Sequence, residues 1–390
     1  MNYNFDEIID REDTDSYKYD LRERFFGTED VIPMWVADMD FRTPDFITDA
    51  VKQRAEHPIY GYSIRSSTFN ESIVRWMKKR FSWEVQGNRI AFSPGVVPAI
   101  NLCVMAYSEP GDKIVVQPPV YFPFYHAITN NNRQILYNPL KLINGRLSMD
   151  LDNLKDNIDE RTKMILLCSP HNPGGSVWTK QELADLAAIC MEDNILIISD
   201  EIHNDLVFKP HQHTPTATLS KDIEDITVTC ISPSKTFNTA GLSTSALIIP
   251  KRKLLSRYIK VLEQVHVGSG NLFGHVALEA AYNYGEEWLE QLLDYLQGNI
   301  DYAIDYITKN IPQIKPIRPE ATYMIWFDCR DLGISAEEQK EFFIKKARIG
   351  FSDGATFGPG GEGFQRMNIA CPRSVLKEAL ERINRAINDL

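Results

Sequence analysis

At 390 residues the chain is longer than one hydrophobic core usually fills, so one large domain plus a smaller one is the first expectation. With 43% apolar and 24% charged residues it reads as globular and not disordered. A formal charge of -11 offers no electrostatic footprint for nucleic acid or an anionic membrane, which leaves small-molecule chemistry open.

The first stretch, "MNYNFDEIIDREDTD", is acidic and polar, without the basic start and apolar core of a secretory signal. No apolar run approaches the roughly 20 residues needed to span a bilayer. Six cysteines lie far apart, mostly in apolar runs and with no CxxC pair, so reduced core residues of a cytoplasmic protein are expected.

Between about residues 88 and 249 short apolar runs alternate with longer amphipathic segments: "RIAF", "KIVVQ", "KMILLC", "NILIIS", "ITVTCI" and "STSALIIP". Runs of this kind, bounded by turn residues, predict a mostly parallel sheet covered on both faces and an α/β class. Residues 286–311 then show apolar spacing of a long amphipathic helix. Strand-like "PIRPEATYMIWFDC", "RIGFSDG" and "FQRMNIACP" follow, with a closing helix in "SVLKEALERINRAINDL". The predicted division is a large domain over 45–285 and a small α+β domain from 1–44 with 286–390.

In an open parallel sheet the ligand lies beyond the carboxyl ends of the strands, so the residues after each run carry the functional reading. After "RIAF", Gly95 opens a helix whose free amides and positive dipole end could seat a phosphate, although any helix start looks alike. After "KIVVQ", prolines present Tyr121, as a ring to stack on a planar ligand or as a core tyrosine. After "KMILLC", Asn172 sits before a proline, as an amide donor or a plain turn. After "NILIIS", Asp200 follows a fully apolar run, where a carboxylate is costly unless something cationic meets it. His203 is a core histidine or a donor behind the ligand. After "ITVTCI", Ser232 and Ser234 can bind an anion, and Lys235 can reach the same place.

An anion seat, an aromatic plate, an amide donor, a buried carboxylate and a lysine on one sheet edge are what pyridoxal 5'-phosphate requires. Its phosphate, ring, phenolic oxygen, pyridine nitrogen and aldehyde each take one of them.

Over nearly its whole length the sequence resembles fold-type I pyridoxal-phosphate enzymes of the class I/II aminotransferase superfamily. Within these it is most similar to the MalY/PatB-type cystathionine β-lyases, through "WVADMDF", "SDEIHNDL", "SPSKTFNTAGL", "AAYNYGEEWLEQLLDYLQGN" and "RMNIACPR". The resemblance implies a seven-stranded sheet in the large domain and makes Lys235 and Tyr121 catalytic, with Lys235 forming the Schiff base. It implies that Asp200 pairs with the pyridine nitrogen, Tyr121 stacks on the ring, Asn172 bonds the phenolic oxygen and His203 and Ser234 belong to the cofactor site. Gly95, Val96 and Val97 with Ser232 would hold the phosphate. Arg366 would bind the substrate carboxylate, with Ala37 and Asn172 beside it; a guanidinium suits a carboxylate for its bidentate geometry.

The same resemblance implies a homodimer in which Tyr60 or, preferably, Tyr62 reaches the neighbour's phosphate. In one departure Ser243 stands eight residues after Lys235, where many aminotransferases carry a phosphate-binding arginine. The activity implied is α,β-elimination of L-cystathionine or a related cysteine conjugate. Amino-acid transamination is the alternative, and a regulatory protein-binding role on the same fold is a further one. "GPGGEG" satisfies GxGxxG, but a strand follows it where a nucleotide fingerprint needs a helix. "HQH" at 211–213 lacks partners at metal spacing and reads as a polar loop, so no metal is expected.

Overall fold

The computed structural model describes residues 2–390. Seven strands form the large sheet: β1 (Ile90–Ser93), β2 (Lys113–Val116), β3 (Gln134–Tyr137), β4 (Thr162–Cys168), β5 (Leu196–Asp200), β6 (Thr227–Ile231) and β7 (Ser245–Ile248). Their spatial order is β1-β7-β6-β5-β4-β2-β3. All run parallel except β7, which is antiparallel to both β1 and β6. Every residue of β6 is buried, as is the apolar run of β4, because helices cover both faces and leave no wet side to a central strand.

One face is packed by helices Val96–Tyr107 and Arg252–Gln264 through Ile100, Val104, Tyr258 and Leu262. Helix Lys180–Glu192 covers the other through Leu183, Leu186 and Ala187. It starts at a capping box in which Thr179 and Glu182 satisfy each other's backbone amides.

The parallel arrangement brings the carboxyl ends of β1, β2, β4, β5 and β6 to one edge. Pairing of Cys168 with Asp200 and of Asp200 with Cys230 puts three strand exits level. Antiparallel β7 contributes its entrance at that edge instead, so Ser243 and Thr244 lie beside the exit of β6.

Past helix Glu286–Asn310, a four-stranded antiparallel sheet forms from β8 (Lys315–Ile317), β9 (Met324–Asp328), β10 (Ser352–Asp353) and β11 (Phe364–Asn368), in the order β8-β9-β11-β10. The N-terminal segment is stitched to this layer. Ile32–Pro33 pairs in parallel with Ile349–Gly350, the Asn368 amide donates to Met34 O at 2.8 Å, and the Asp40 amide donates to Ala370 O at 2.8 Å. A single apolar cluster containing Phe69, Trp76, Phe237, Leu292, Tyr323 and Leu380 runs through both layers, which holds β11 against the edge of the large sheet.

Candidate active site

At the shared edge a cavity of about 220 Å³ is lined by Gly95, Val96, Val97, Tyr121, Asn172, Asp200, His203, Ser232, Ser234 and Lys235, with Ala37 and Ser243. Gly95 has φ +153 and ψ 163, a backbone conformation open essentially to glycine alone, and it turns β1 into the helix Val96–Tyr107. The first-turn amides of that helix have no acceptor within it, so they are available to an anion.

Asp200 ends β5 with 5% of its surface exposed. Its Oδ1 accepts the Ile202 amide at 3.1 Å, and no cation among the described residues forms an ion pair with it. Burial pushes its carboxyl up to about 7, against the lowering effect of the Ile202 amide and of Lys235. His203 lies in the same wall with Nδ1 unpartnered, and burial first, then Lys235 and Arg366, hold its imidazole neutral at about 3.

Lys235 is carried by the one-turn helix Pro233–Thr236, which Ser232 caps by accepting the Ser234 amide. Its accessible surface opens onto the cavities, and Nζ donates to Ala37 O at 2.7 Å. Burial, joined by Arg366, lowers its amine to about 8 against the raising effect of Asp38 and Asp200. A lysine near 8 has an appreciable neutral fraction at physiological pH, as a base or nucleophile requires.

Arg366 reaches Asn172 of the cavity wall from β11, where it is paired opposite Trp326 and Ser352, and its own surface opens onto an adjoining chamber that shares Lys235. Nη1 donates to Asn172 Oδ1 at 2.9 Å, and Nη2 donates to Trp35 O at 2.8 Å and Ser352 Oγ at 3.1 Å. Nε has no partner, and the guanidinium lies 4.8 Å from the centre of the Phe357 ring. Burial lowers it to about 10, and no carboxylate of the described residues pairs with it. The bond from Arg366 occupies the oxygen of Asn172 and leaves its amide nitrogen to donate elsewhere.

Several expectations need adjustment. Ser232 lines the cavity, where its hydroxyl donates to Thr244 O at 2.9 Å and caps the helix, so it would donate to a phosphate only in exchange for the Thr244 bond. Ser234 and Ser243 are the wall hydroxyls without such a commitment. Tyr62, expected to reach a neighbouring chain's phosphate, is fully exposed and lies outside the cavity wall of its own chain, which that expectation allows. "HQH" is not uniformly a polar loop, because His213 buries its side chain and bonds Glu201 Oε2 at 2.8 Å. Three residues had not been singled out. Tyr323 donates to Ala37 O at 3.0 Å, beside Lys235. Asn238 donates to Met39 O at 2.9 Å and Phe41 O at 3.1 Å, and Asn368 donates to Val36 O at 2.7 Å and Asp38 O at 2.6 Å. Asn238 and Asn368 lie within the blocks "SPSKTFNTAGL" and "RMNIACPR", whereas the carbonyls they hold belong to the backbone of "WVADMDF" and leave no mark on its residue types.

A buried carboxylate lacking a cation, a buried guanidinium lacking an anion, and a lysine of lowered basicity between them form one constellation. The family model for aminotransferase class I and II matches residues 29–383. The chain belongs to that family. The cystathionine β-lyase PatB of Bacillus subtilis (strain 168) is 42% identical over 386 residues, spanning 99% of this chain and 100% of its own length. A PLP-bound putative aminotransferase from Clostridium difficile 630 has 46% identity and a TM-score of 0.97, covering 99% of this chain and 100% of that one. The PLP-bound C-S lyase from Staphylococcus hominis has 36% identity and a TM-score of 0.91, covering 99% of this chain and 98% of that one. These similarities agree with the fold and with the subfamily resemblance read from the quoted blocks.

Proposed function

We propose that the protein is a pyridoxal-phosphate-dependent C–S β-lyase of S-substituted L-cysteines, L-cystathionine among them. The observation that carries the reading is the pair of unbalanced buried charges on either side of Lys235. Asp200 lacks a cation and Arg366 lacks an anion, and a protonated pyridine nitrogen and an amino-acid carboxylate would supply them. The cavity suits the cofactor further through the amides of Val96 and Val97, the hydroxyls of Ser234 and Ser243, and the free amide nitrogen of Asn172. Lys235 is its only lysine or arginine, so helix-end dipoles must carry much of the phosphate's charge.

When bound there, pyridoxal phosphate supplies a carbonyl for amines and a ring that accepts electrons from Cα. Asp200 would hold the proton of the pyridine nitrogen. Arg366 would fix the substrate carboxylate in the chamber that Lys235 also lines, and Lys235 Nζ would take the Cα proton. Tyr121 covers the site on the side open to the larger cavity and helps exclude water. Overall, the Cα–H and Cβ–S bonds break, a thiol leaves with one proton, and the released enamino acid takes up one water to give pyruvate and ammonia.

Elimination is preferred to transamination on the likeness to proteins named cystathionine β-lyase and C-S lyase. Purified protein with L-cystathionine and no keto acid should give pyruvate and free thiol in equal amounts. Turnover that appears only on adding a keto acid would replace this reading with an aminotransferase.

We further propose a cytoplasmic homodimer, with domains at 45–285 and at 1–44 with 286–390. Six free, buried cysteines support the reducing compartment. An exposed apolar row, with Ile59 at 66%, Tyr62 at 109% and Ile64 at 89% exposure, supports the dimer. Tyr60 already donates its hydroxyl to Ala55 O at 2.7 Å, which favours Tyr62 as the residue reaching across.

A further inference from the structure

Beside the cofactor cavity lies a larger chamber of about 630 Å³, and the two share Ala37, Tyr121 and Lys235. Arg366 opens onto the chamber and is absent from the smaller cavity's wall. A substrate with its carboxylate on Arg366 and its Cα at Lys235 therefore projects its side chain, and the sulfur it will lose, into the chamber.

That chamber is walled by aromatic rings. On one side Tyr17, Phe25 and Trp35 pack on one another, with ring centres 4.5 Å apart for Phe25 and Trp35 and 5.4 Å for Tyr17 and Trp35. On the other side stand Phe343 and Ile344, at the start of the π-helical turn Phe343–Ala347. Such wide turns are rare and recur at functional sites. Tyr17 is 56% exposed, and Phe25 and Phe122 are each 41% exposed. Folding thus leaves three large rings wet around one mouth, and a ligand that covers them gains the burial the fold does not provide.

The chamber is poorly equipped for a second charged end. The departing half of L-cystathionine carries an ammonium and a carboxylate. Beyond Lys235 and Arg366, the titratable chains on its wall are His126, and Lys340 and Asp353 where the chamber meets an outer groove. Lys340 is exposed to solvent, and neither it nor Asp353 forms an ion pair among the described residues. A solvated lysine returns little for an ion pair, the half-buried Asp353 already accepts the Ala355 amide at 3.1 Å, and carrying two charges past an aromatic wall strips them of water.

We infer that the chamber selects cysteines with apolar aryl or alkyl S-substituents over L-cystathionine, an inference that rests on the lyase reading. The elimination is unchanged; what differs is the thiol released.

The test measures pyruvate from S-methyl-, S-butyl- and S-benzyl-L-cysteine and from L-cystathionine, with holoprotein and no keto acid. The expected result is kcat/KM rising with apolar size, and S-benzyl-L-cysteine exceeding L-cystathionine by about tenfold or more. In Phe25→Ala, and in Tyr17→Ala should that variant fold better, the benzyl-to-methyl ratio should fall. Binding of the methylene-for-sulfur isostere of S-benzyl-L-cysteine, read by tryptophan fluorescence, should weaken in the same variant. L-cystathionine cleaved as well as or better than S-benzyl-L-cysteine, or a ratio unmoved in the folded variants, overturns the inference and leaves the lyase reading standing. No pyruvate from any of the four overturns the lyase reading itself.

Discussion

Asp200 ends β5 and Lys235 sits on the one-turn helix just past the adjacent parallel β6, whereas Arg366 and Ala37 meet only because a segment without regular structure crosses over the sheet edge. The cofactor half inherits its geometry from the backbone ladder: Asp200 pairs with Cys168 on one side and Cys230 on the other. The substrate half is assembled from side chains holding carbonyls. Arg366 holds Trp35 O, Asn368 holds Val36 O and Asp38 O, Lys235 and Tyr323 share Ala37 O, and Asn238 holds Met39 O and Phe41 O. Damage to the first half should remove chemistry. Damage to the second should loosen substrate while chemistry persists.

Lys235→Ala breaks the comparison most severely. Loss of the base should lower pyruvate formation by about a thousandfold or more. Borohydride treatment of the yellow holoprotein should fix cofactor on Lys235, and label recovered on another lysine would contradict its assignment.

Asp200→Asn should act in opposite directions with and without cofactor. In the cofactor-free fold the carboxyl is raised from 3.8 to about 7, so between those values the folded chain keeps a proton that the unfolded chain has released. Its stabilising contribution is complete below the lower value and is lost as pH rises to the upper one. Relative to the parent, the cofactor-free variant should therefore gain stability from pH 4 to pH 8, by on the order of 4 kcal/mol. With cofactor bound the parent carboxylate is balanced, and the variant should bind cofactor more weakly. Thermal unfolding with and without pyridoxal phosphate checks both signs, and a difference independent of pH would remove the unpaired carboxylate from the account.

Arg366→Ala addresses the other half. Truncation of a buried charge that meets a carboxylate costs about 2–5 kcal/mol, so KM should rise some thirtyfold or more with a smaller change in kcat. An unchanged KM would take Arg366 out of the site.

The same contrast explains what could be read from sequence. Asp200 and Lys235 were legible because each terminates or closely follows an apolar run, where a charge has no ordinary reason to be. Strand β3, "QILY", was missed among the runs because it is an edge strand with its ends exposed and carries no fully buried pattern. Tyr323 and Asn238 were illegible for a different reason. Their partners in the crossing segment lie 286 and 199 residues away, and a tyrosine in "TYMIWF" looks like any core ring. His213 was misread because the carboxylate it meets, Glu201, is buried at a strand end 12 residues earlier. Tyr62 is a question about a second chain, which periodicity in one chain does not address.

Asn368→Ala is the finest probe of the crossing segment, since its side chain touches neither cavity wall. Its amide nitrogen donates at 2.7 Å and 2.6 Å to two carbonyls flanking Ala37, and its Oδ1 accepts the Ala370 amide at 2.8 Å. Each net bond contributes about 1 kcal/mol and each carbonyl left buried without a donor costs somewhat more, so a loss of about 2–4 kcal/mol of stability is expected. The bonds from Tyr323 and Lys235 to Ala37 O would remain, but the carbonyls on either side of it would be loose, and the Trp35 carbonyl on which Arg366 rests would lose its neighbouring anchor. KM should rise several-fold while kcat stays within a factor of about two, because Asp200 and Lys235 are fixed by the sheet. A fall in kcat at constant KM would mean that the crossing segment serves Lys235 rather than Arg366, and that the two halves are less separate than their architecture makes them.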